Sequence, residues 1–475
     1  MTWLMENGKP VSVDSISVEF MNNILSSQQA ATATACRVDT SSVVKGRHST
    51  TFRIVLQYDE PAGQEAIRSV YAKLIVCRDL PARPLSQWRT SLASYRAEAA
   101  FFQQLAAVDG LRELVPRCLW VSVHDPTLGS CAPHDSCGSR SQEELLSEDL
   151  VLQSHFLIFT EDLGAGGWFQ VKSMSSSQAQ VALTTLARFH ARFWNKDEEL
   201  RRLRGALHEQ GTFWTLSKRE GRDLLELEET YGGFVERFRP LLPGLFSRPE
   251  VLSLGRRLAA LSVELDARMA GRAGGRKAPR TLVHGDFKTW NHFFSADGDG
   301  PARMKFIDLQ WCGEGCGMQD VAYLMCTSLD EQALPSHKHL LGHYHAELLS
   351  ALADDDRAGT STSTSTSTST STPASAEGSP SSCSGCEYEA AEFLADCRAA
   401  FLDYVRCVLG TLWRGLTPAK LEQNAQAGPG MSMVNRSLPH VEWIISTAVD
   451  LLAEEEGEIS RQQAAGEGRA WAAGS

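Results

Sequence analysis

The stretch Leu282-Val-His-Gly-Asp-Phe-Lys-Thr-Trp-Asn291, followed by Phe306-Ile-Asp-Leu-Gln310, constrains this chain more than any other. Its apolar runs, Thr281 to Val283, His292 to Phe294 and Met304 to Ile307, are too short for helices and read as short strands. Ser295 to Pro301 contains Asp-Gly-Asp-Gly, a strong turn signal, so the last two runs read as a hairpin. Three polar residues, Asp286, Asn291 and Asp308, then stand at strand ends. The hairpin's length is expected to bring Asn291, before the outgoing strand, near Asp308, at the end of the returning one.

That placement has chemical content. An amide oxygen beside a carboxylate is a pair of hard ligands, suited to magnesium with phosphate oxygens and water completing the octahedron. Asp286, five residues before Asn291, can accept a proton from a hydroxyl lined up on the phosphate. Taken singly, Asp and Asn are also ordinary turn and cap residues. The combination at this spacing points to a site.

Length and composition set the bounds. A chain of 475 residues accommodates two or three domains, or one two-lobed enzyme with insertions. The net charge of -12 argues against a nucleic-acid binder, since phosphate backbones attract basic surfaces. No run approaches the roughly 18 apolar residues of a membrane helix. The start, Met1-Thr-Trp-Leu-Met-Glu-Asn, has no basic segment leading into an apolar one, so no secretory signal is expected. The twelve cysteines are scattered, several in apolar segments, which fits reduced thiols in a cytoplasmic protein.

The chain divides by character. Val13 to Leu25 reads as an amphipathic helix. Val38 to Tyr58 reads as a hairpin around Lys45-Gly46, Val70 to Val76 as a third strand, and Leu92 to Ala107 as a helix. Leu119 to Val123 and Phe156 to Thr160 are further strands. After them the periodicity becomes helical, at Ser177 to Trp194, Lys218 to Tyr231, Pro249 to Met269, Gln319 to Ser328, Leu340 to Leu352, Tyr388 to Trp413 and Leu438 to Glu456. This predicts a strand-rich part over 1–160, a catalytic, mainly helical part over 161–460, and a flexible tail over 461–475. Two insertions are expected to be loops: 124–149, rich in Ser, Cys, Gly and acids, and 359–384, a Ser/Thr tract whose composition cannot bury a core.

His-Gly-Asp-x-x-x-x-Asn followed by Ile-Asp-x-Gln resembles the aminoglycoside phosphotransferase and choline kinase group of small-molecule kinases, most closely its ecdysteroid-kinase-like branch. Gly317-Met-Gln-Asp320-Val-Ala-Tyr323 and Leu186-Ala-Arg-Phe-His190-Ala-Arg-Phe-Trp194 fit the same branch, and the resemblance spans most of Leu25 to Val449. Protein kinases carry Arg where this chain has Gly285. Choline kinases carry His-Asn-Asp and Ile-Asp-x-Glu, so Gly285 and Gln310 point away from choline as the acceptor.

The resemblance implies an α+β, two-lobed protein-kinase-like fold, with a small antiparallel-sheet N-lobe and a larger, mainly helical C-lobe. It implies ATP- and Mg2+-dependent phosphorylation of a hydroxyl on a small molecule. Asp286 would be the base, and Asn291 and Asp308 the magnesium ligands. Lys288 would reach the transferring phosphate, or else be a solvated loop lysine. Lys73, inside the apolar strand Tyr71-Ala-Lys-Leu-Ile75, is costly to bury unless paired; Glu98 in the next helix would be its partner and hold it on the phosphates. Gly46 and Ser49 would cover the phosphates, although a single glycine makes a thin clamp and a plain hairpin turn reads equally well. Glu161 and Leu163, in Phe159-Thr-Glu-Asp-Leu163, would offer backbone groups to adenine. His284 and His190 read as structural. Trp290, Trp311, Trp413 and Trp443 suit either an acceptor pocket or packing. Cys383-Ser-Gly-Cys386 has metal or redox spacing but no second pair. A binding or scaffold protein without catalysis is the alternative.

Overall fold

Alternation along Ser69–Val76 explains how the first part is built. Val70, Ala72 and Leu74 are buried on one face, and Tyr71, Lys73 and Ile75 lie on the other. A computed structural model describes residues 5–6, 9–10, 16–28, 31–46, 48–59, 66–128, 147–219, 222–272, 277–295, 302–361, 388–427 and 432–473. Most of the two expected insertions, and Cys383 and Cys386, lie outside the described residues.

The chain forms two compact units. The first comprises 1–170, 203–209 and 293–313, and the second the remainder. In the first, β1 (Ala35–Lys45), β2 (Thr50–Gln57), β3 (Ser69–Val76), β4 (Cys118–His124) and β5 (His155–Glu161) form an antiparallel sheet in the order β1-β2-β3-β5-β4. Lys73 stands opposite Thr51 on one side and Ile158 on the other. One face of the sheet packs Phe52, Ile54, Val70, Ala72 and Phe159 against Met21, Ile24 and Leu25 of helix α1 (Val18–Leu25). Ser17 caps that helix by accepting the Phe20 N–H. The other face places Ile75 and Phe156 against Trp88, Leu92, Tyr95 and Ala99 of α2 (Leu85–Gln104). Lys73 shares that face, which is why the strand lysine meets the helix glutamate. The strands β6 (Trp168–Phe169), β8 (His292–Ser295) and β9 (Met304–Phe306) make a small second sheet in the order β9-β8-β6, so the expected hairpin forms.

In the second unit, α3 (Ser176–Ala191) opens on a capping box of Ser175 and Gln178. Strand β7 (Thr281–Val283) pairs with β10 (Gly313–Gly315). Helices α4 (Leu254–Met269), α5 (Met318–Ser328), α6 (His337–Ser361), α7 (Ala390–Cys407) and α8 (Leu438–Ala473) belong to the same unit. Every residue of α5 is buried. The mixed architecture, an antiparallel sheet first and a helical remainder, is the one expected.

Some boundaries differ from expectation. The single helix expected over 218–231 is broken into Arg222–Leu225 and Leu227–Phe238. There the Lys218 ammonium donates to the carbonyls of Gln210 and Thr212, which pins the preceding turn. The helix expected over 249–269 is interrupted at Ser253. The tail expected from 461 lies, as far as Ala473, in α8. No described helix is long and apolar enough to cross a membrane.

A buried ion pair ties α7 to the loop before Arg222. Arg406 is fully buried and donates to Asp403 Oδ1 at 3.0 Å and to the Trp214 carbonyl at 2.6 Å. Trp214 Nε1 donates to Asp403 Oδ2 at 3.1 Å. Burial pushes the Asp403 carboxyl up to about 6, with Arg406 pulling the other way. Arg406→Met leaves that carboxylate without its cation. The variant is expected to lose about 3–5 kcal/mol of unfolding free energy, measured by urea denaturation at pH 7.5.

Candidate active site

The turn after β7 is where the second unit concentrates its polar groups. Gly285 has φ +81°, a conformation that side chains rarely adopt, and this lets the chain leave the strand abruptly. The two buried N–H groups exposed by the turn both find one acceptor. His284 N–H donates to Asp320 Oδ2 at 2.6 Å and Gly285 N–H to Oδ1 at 2.9 Å. Asp320 is itself fully buried near the start of α5. His190 Nε2 lies 3.3 Å from Asp320 Oδ2, and its Nδ1 lies 2.7 Å from the Tyr344 hydroxyl. His190 is thus a hydrogen-bonded core residue, as expected. His284 is also structural, its Nδ1 accepting the Asp286 N–H at 3.2 Å.

Asp286, 4% exposed, is surrounded by donors. Lys288 Nζ lies 2.9 Å from Oδ1 and 2.7 Å from Oδ2, the Tyr323 hydroxyl donates to Oδ1 at 2.6 Å, and Asn291 Nδ2 donates to Oδ2 at 3.2 Å. Asn291 Nδ2 also donates to the Asp286 carbonyl at 2.8 Å. Its amide nitrogen is turned toward Asp286. The Lys288 ammonium sits on the carboxylate two residues before it.

Tyr323 was not singled out by the motifs, although it closes one of them. Its ring stacks on Trp214, with centroids 5.0 Å apart and planes 16° from parallel, and meets Phe213 and Tyr404 edge-on. Burial, and then Asp286, push the phenol's pKa well above its ordinary value, so the hydroxyl is a donor throughout the usual pH range. Tyr323 is the third residue after Asp320, the spacing that puts both on one face of α5. That spacing was the available signal.

The first unit holds a second constellation. Lys73 Nζ lies 2.7 and 2.9 Å from the Glu98 carboxylate oxygens and 2.7 Å from Asp308 Oδ1. Burial works against the ammonium, but Asp308 and Glu98 outweigh it and raise the Lys73 pKa above its usual value. Burial raises the Glu98 pKa, Lys73 lowers it and Asp308 adds to the rise. Asp308 has φ +67°, uncommon outside glycine, and its Oδ2 accepts from Gln310 Nε2 at 3.3 Å. Among the described residues no three of His, Cys, Asp and Glu gather as metal ligands.

The remaining residues are positioned as follows. Gly46 and Ser49 close the β1–β2 turn, with Gly46 N–H donating to the Ser49 carbonyl at 2.8 Å. Glu161 ends β5, and its carboxylate is held by Lys305 and by the Arg117 N–H at 3.1 Å. Leu163 is buried in the turn that follows. Trp311 stacks on His208, Trp413 on Phe234, and Trp443 meets Phe401 edge-on, so these three pack against neighbours within their own units.

Asp320→Ala would strand two buried N–H groups at a turn that already needs a left-handed glycine. It is expected to cost about 2–5 kcal/mol in denaturant unfolding. Amide exchange at His284 and Gly285 should accelerate more than exchange in the first unit's sheet.

The model of the ecdysteroid kinase-like family matches residues 48–355. Among solved structures, a microcompartment-associated aminopropanol kinase aligns with 13% identity and a TM-score of 0.40, over 94% of this chain and 98% of that one. A Plasmodium vivax ethanolamine kinase aligns with 7% identity and a TM-score of 0.38, over 94% and 90%. A choline/ethanolamine kinase family protein from Mesorhizobium loti aligns with 11% identity and a TM-score of 0.34, over 91% and 98%. These structural likenesses are loose, and no individual curated protein matches in sequence. By the family match, which covers more than half its length, the chain belongs to the ecdysteroid kinase-like family.

Proposed function

We propose that this protein is an ATP- and magnesium-dependent kinase that phosphorylates a hydroxyl group of a small molecule. The observation that carries the reading is the Asp286 carboxylate, buried and fixed by Lys288, Tyr323 and Asn291 before any acceptor arrives. A base oriented in advance lowers the entropic part of the barrier. Membership of a kinase-like family supports the same reaction class.

Each residue has an assigned part. Asp286 orients the acceptor hydroxyl and receives its proton as the acceptor oxygen bonds to the terminal phosphorus. The bond from that phosphorus to its bridging oxygen breaks, and ADP leaves. Lys288 holds Asp286 and is close enough in sequence to serve the transferring phosphate as well. Lys73, steadied by Glu98, is assigned to the inner phosphates, Gly46 and Ser49 to covering them, and the backbone of Glu161 and Leu163 to adenine. Asn291, through its amide oxygen, and Asp308, through its carboxylate, are the assigned magnesium ligands, and hard oxygen donors of this type fit that ion. Magnesium, when bound, supplies neutralisation of the charge on the phosphates. The acidic net charge disfavours a nucleic-acid substrate. The free thiols at the described cysteines fit a cytoplasmic setting.

Two measurements test the proposal. ATP should raise the thermal unfolding midpoint more with magnesium than without it; no magnesium dependence would leave the scaffold reading in place. In a panel of amino alcohols, sugars and steroid alcohols scored for ADP release, Asp286→Asn should cut the acceptor-dependent rate by about 10²–10⁴-fold. A variant that kept the rate would show that Asp286 is not the base.

A further inference from the structure

Two consecutive carboxylates at the end of β5 are each held by a cation from a different strand. Asp162 is 8% exposed, and its oxygens take the guanidinium fork of Arg53 from β2, with Nη2 at 3.2 Å from Oδ1 and Nε on Oδ2. Ser69 Oγ donates to Oδ2 at 2.8 Å and the Ala165 N–H to Oδ1 at 3.2 Å. Glu161 takes the Lys305 ammonium from β9, and Lys305 also stands 5.6 Å over the Trp168 ring.

The backbone between them is pinned in turn. Glu161 N–H donates to the Arg117 carbonyl at 2.9 Å, Gly166 N–H to the Asp162 carbonyl at 3.2 Å, and Trp168 N–H to the Leu163 carbonyl at 3.0 Å. A methyl group on Gly164 would lie 2.9 Å from Arg53 Nη2, so glycine is what lets the guanidinium approach. Arg53 is in turn tied to β1, where its own N–H donates to Ser42 Oγ at 2.7 Å. The Glu161–Leu163 peptide groups therefore inherit their orientation from two strands, one in the main sheet and one that leads, three residues after Lys305, to Asp308.

We infer that Arg53 and Lys305 are positioning residues for the nucleobase, holding the Glu161–Leu163 backbone in the geometry that an adenine edge requires. The inference rests on the nucleotide-binding reading above and deepens it. Neither side chain needs to touch the ligand. Each acts through a carboxylate, of Glu161 or of Asp162 beside it, and the backbone groups of Glu161 and Leu163 make the contact. A brace of this kind affects recognition of the base and leaves recognition of the phosphates to Lys73.

The test uses the full-length protein and three probes with magnesium: ADP, adenosine and inorganic tripolyphosphate, with affinities from calorimetry. Arg53→Gln and Lys305→Met should each weaken ADP and adenosine by about tenfold, the equivalent of one charged hydrogen bond, and leave tripolyphosphate within about twofold. Equal losses for ADP and tripolyphosphate would reduce the pair to general braces of the fold, and wild-type ADP affinity in both variants would also overturn the inference. If Arg53→Gln does not fold, Arg53→Lys keeps the charge and loses the fork. The same split at smaller size is then expected, and unchanged ADP affinity counts against the brace. A wild-type protein that binds no ADP would defeat the nucleotide reading itself, a failure separate from one confined to the variants.

Discussion

A buried carboxylate must be surrounded by donors, and Asp320 draws two of its donors from the turn that matters most. By accepting the N–H groups of His284 and Gly285, it converts a desolvation cost into a constraint on the backbone. The left-handed Gly285, the direction of Asp286 and the reach of Lys288 all follow from that one acceptor. His190 and Tyr344 extend the support into α3 and α6, so the turn stands on the helical core.

The first unit solves a related problem with the opposite charge. A lysine inside a sheet is tolerable only when paired, and Lys73 has two partners, Glu98 from α2 and Asp308 from the segment after β9. Alternation along β3 decides which face it emerges on, and the packing of α2 decides that a glutamate waits there. On the proposed function, phosphates arriving at Lys73 would exchange with a carboxylate rather than meet a bare ammonium.

Much of this was legible in the sequence because the signals were local. Asp286 and Asp308 follow short apolar runs, Asn291 precedes one, and a lysine in Tyr71-Ala-Lys-Leu-Ile75 is conspicuous whatever the fold. Tyr323 was less visible, because a tyrosine in an apolar helix reads as core until its hydroxyl has a partner 37 residues away. Arg53 and Lys305 were invisible for the same reason at greater range, their partners lying 109 and 144 residues along the chain. Near Lys218 the bonds to the Gln210 and Thr212 carbonyls hold a turn where local periodicity reads as helix. Ala, Glu, Gln and Arg are good helix formers, and α8 continues through them as far as Ala473.

The spacing of Asp320 and Tyr323 has a consequence for how this site can change. One residue holds the turn and the other holds the Asp286 carboxylate, and the distance between the two anchors is the rise of three helical residues, about 4.5 Å. No loop lies between them to absorb an error. Adding or deleting a single residue there would swing one anchor by about 100° around the helix axis relative to the other. Substitutions can be screened one side chain at a time, whereas a length change within α5 would uncouple the turn from its carboxylate in a single step.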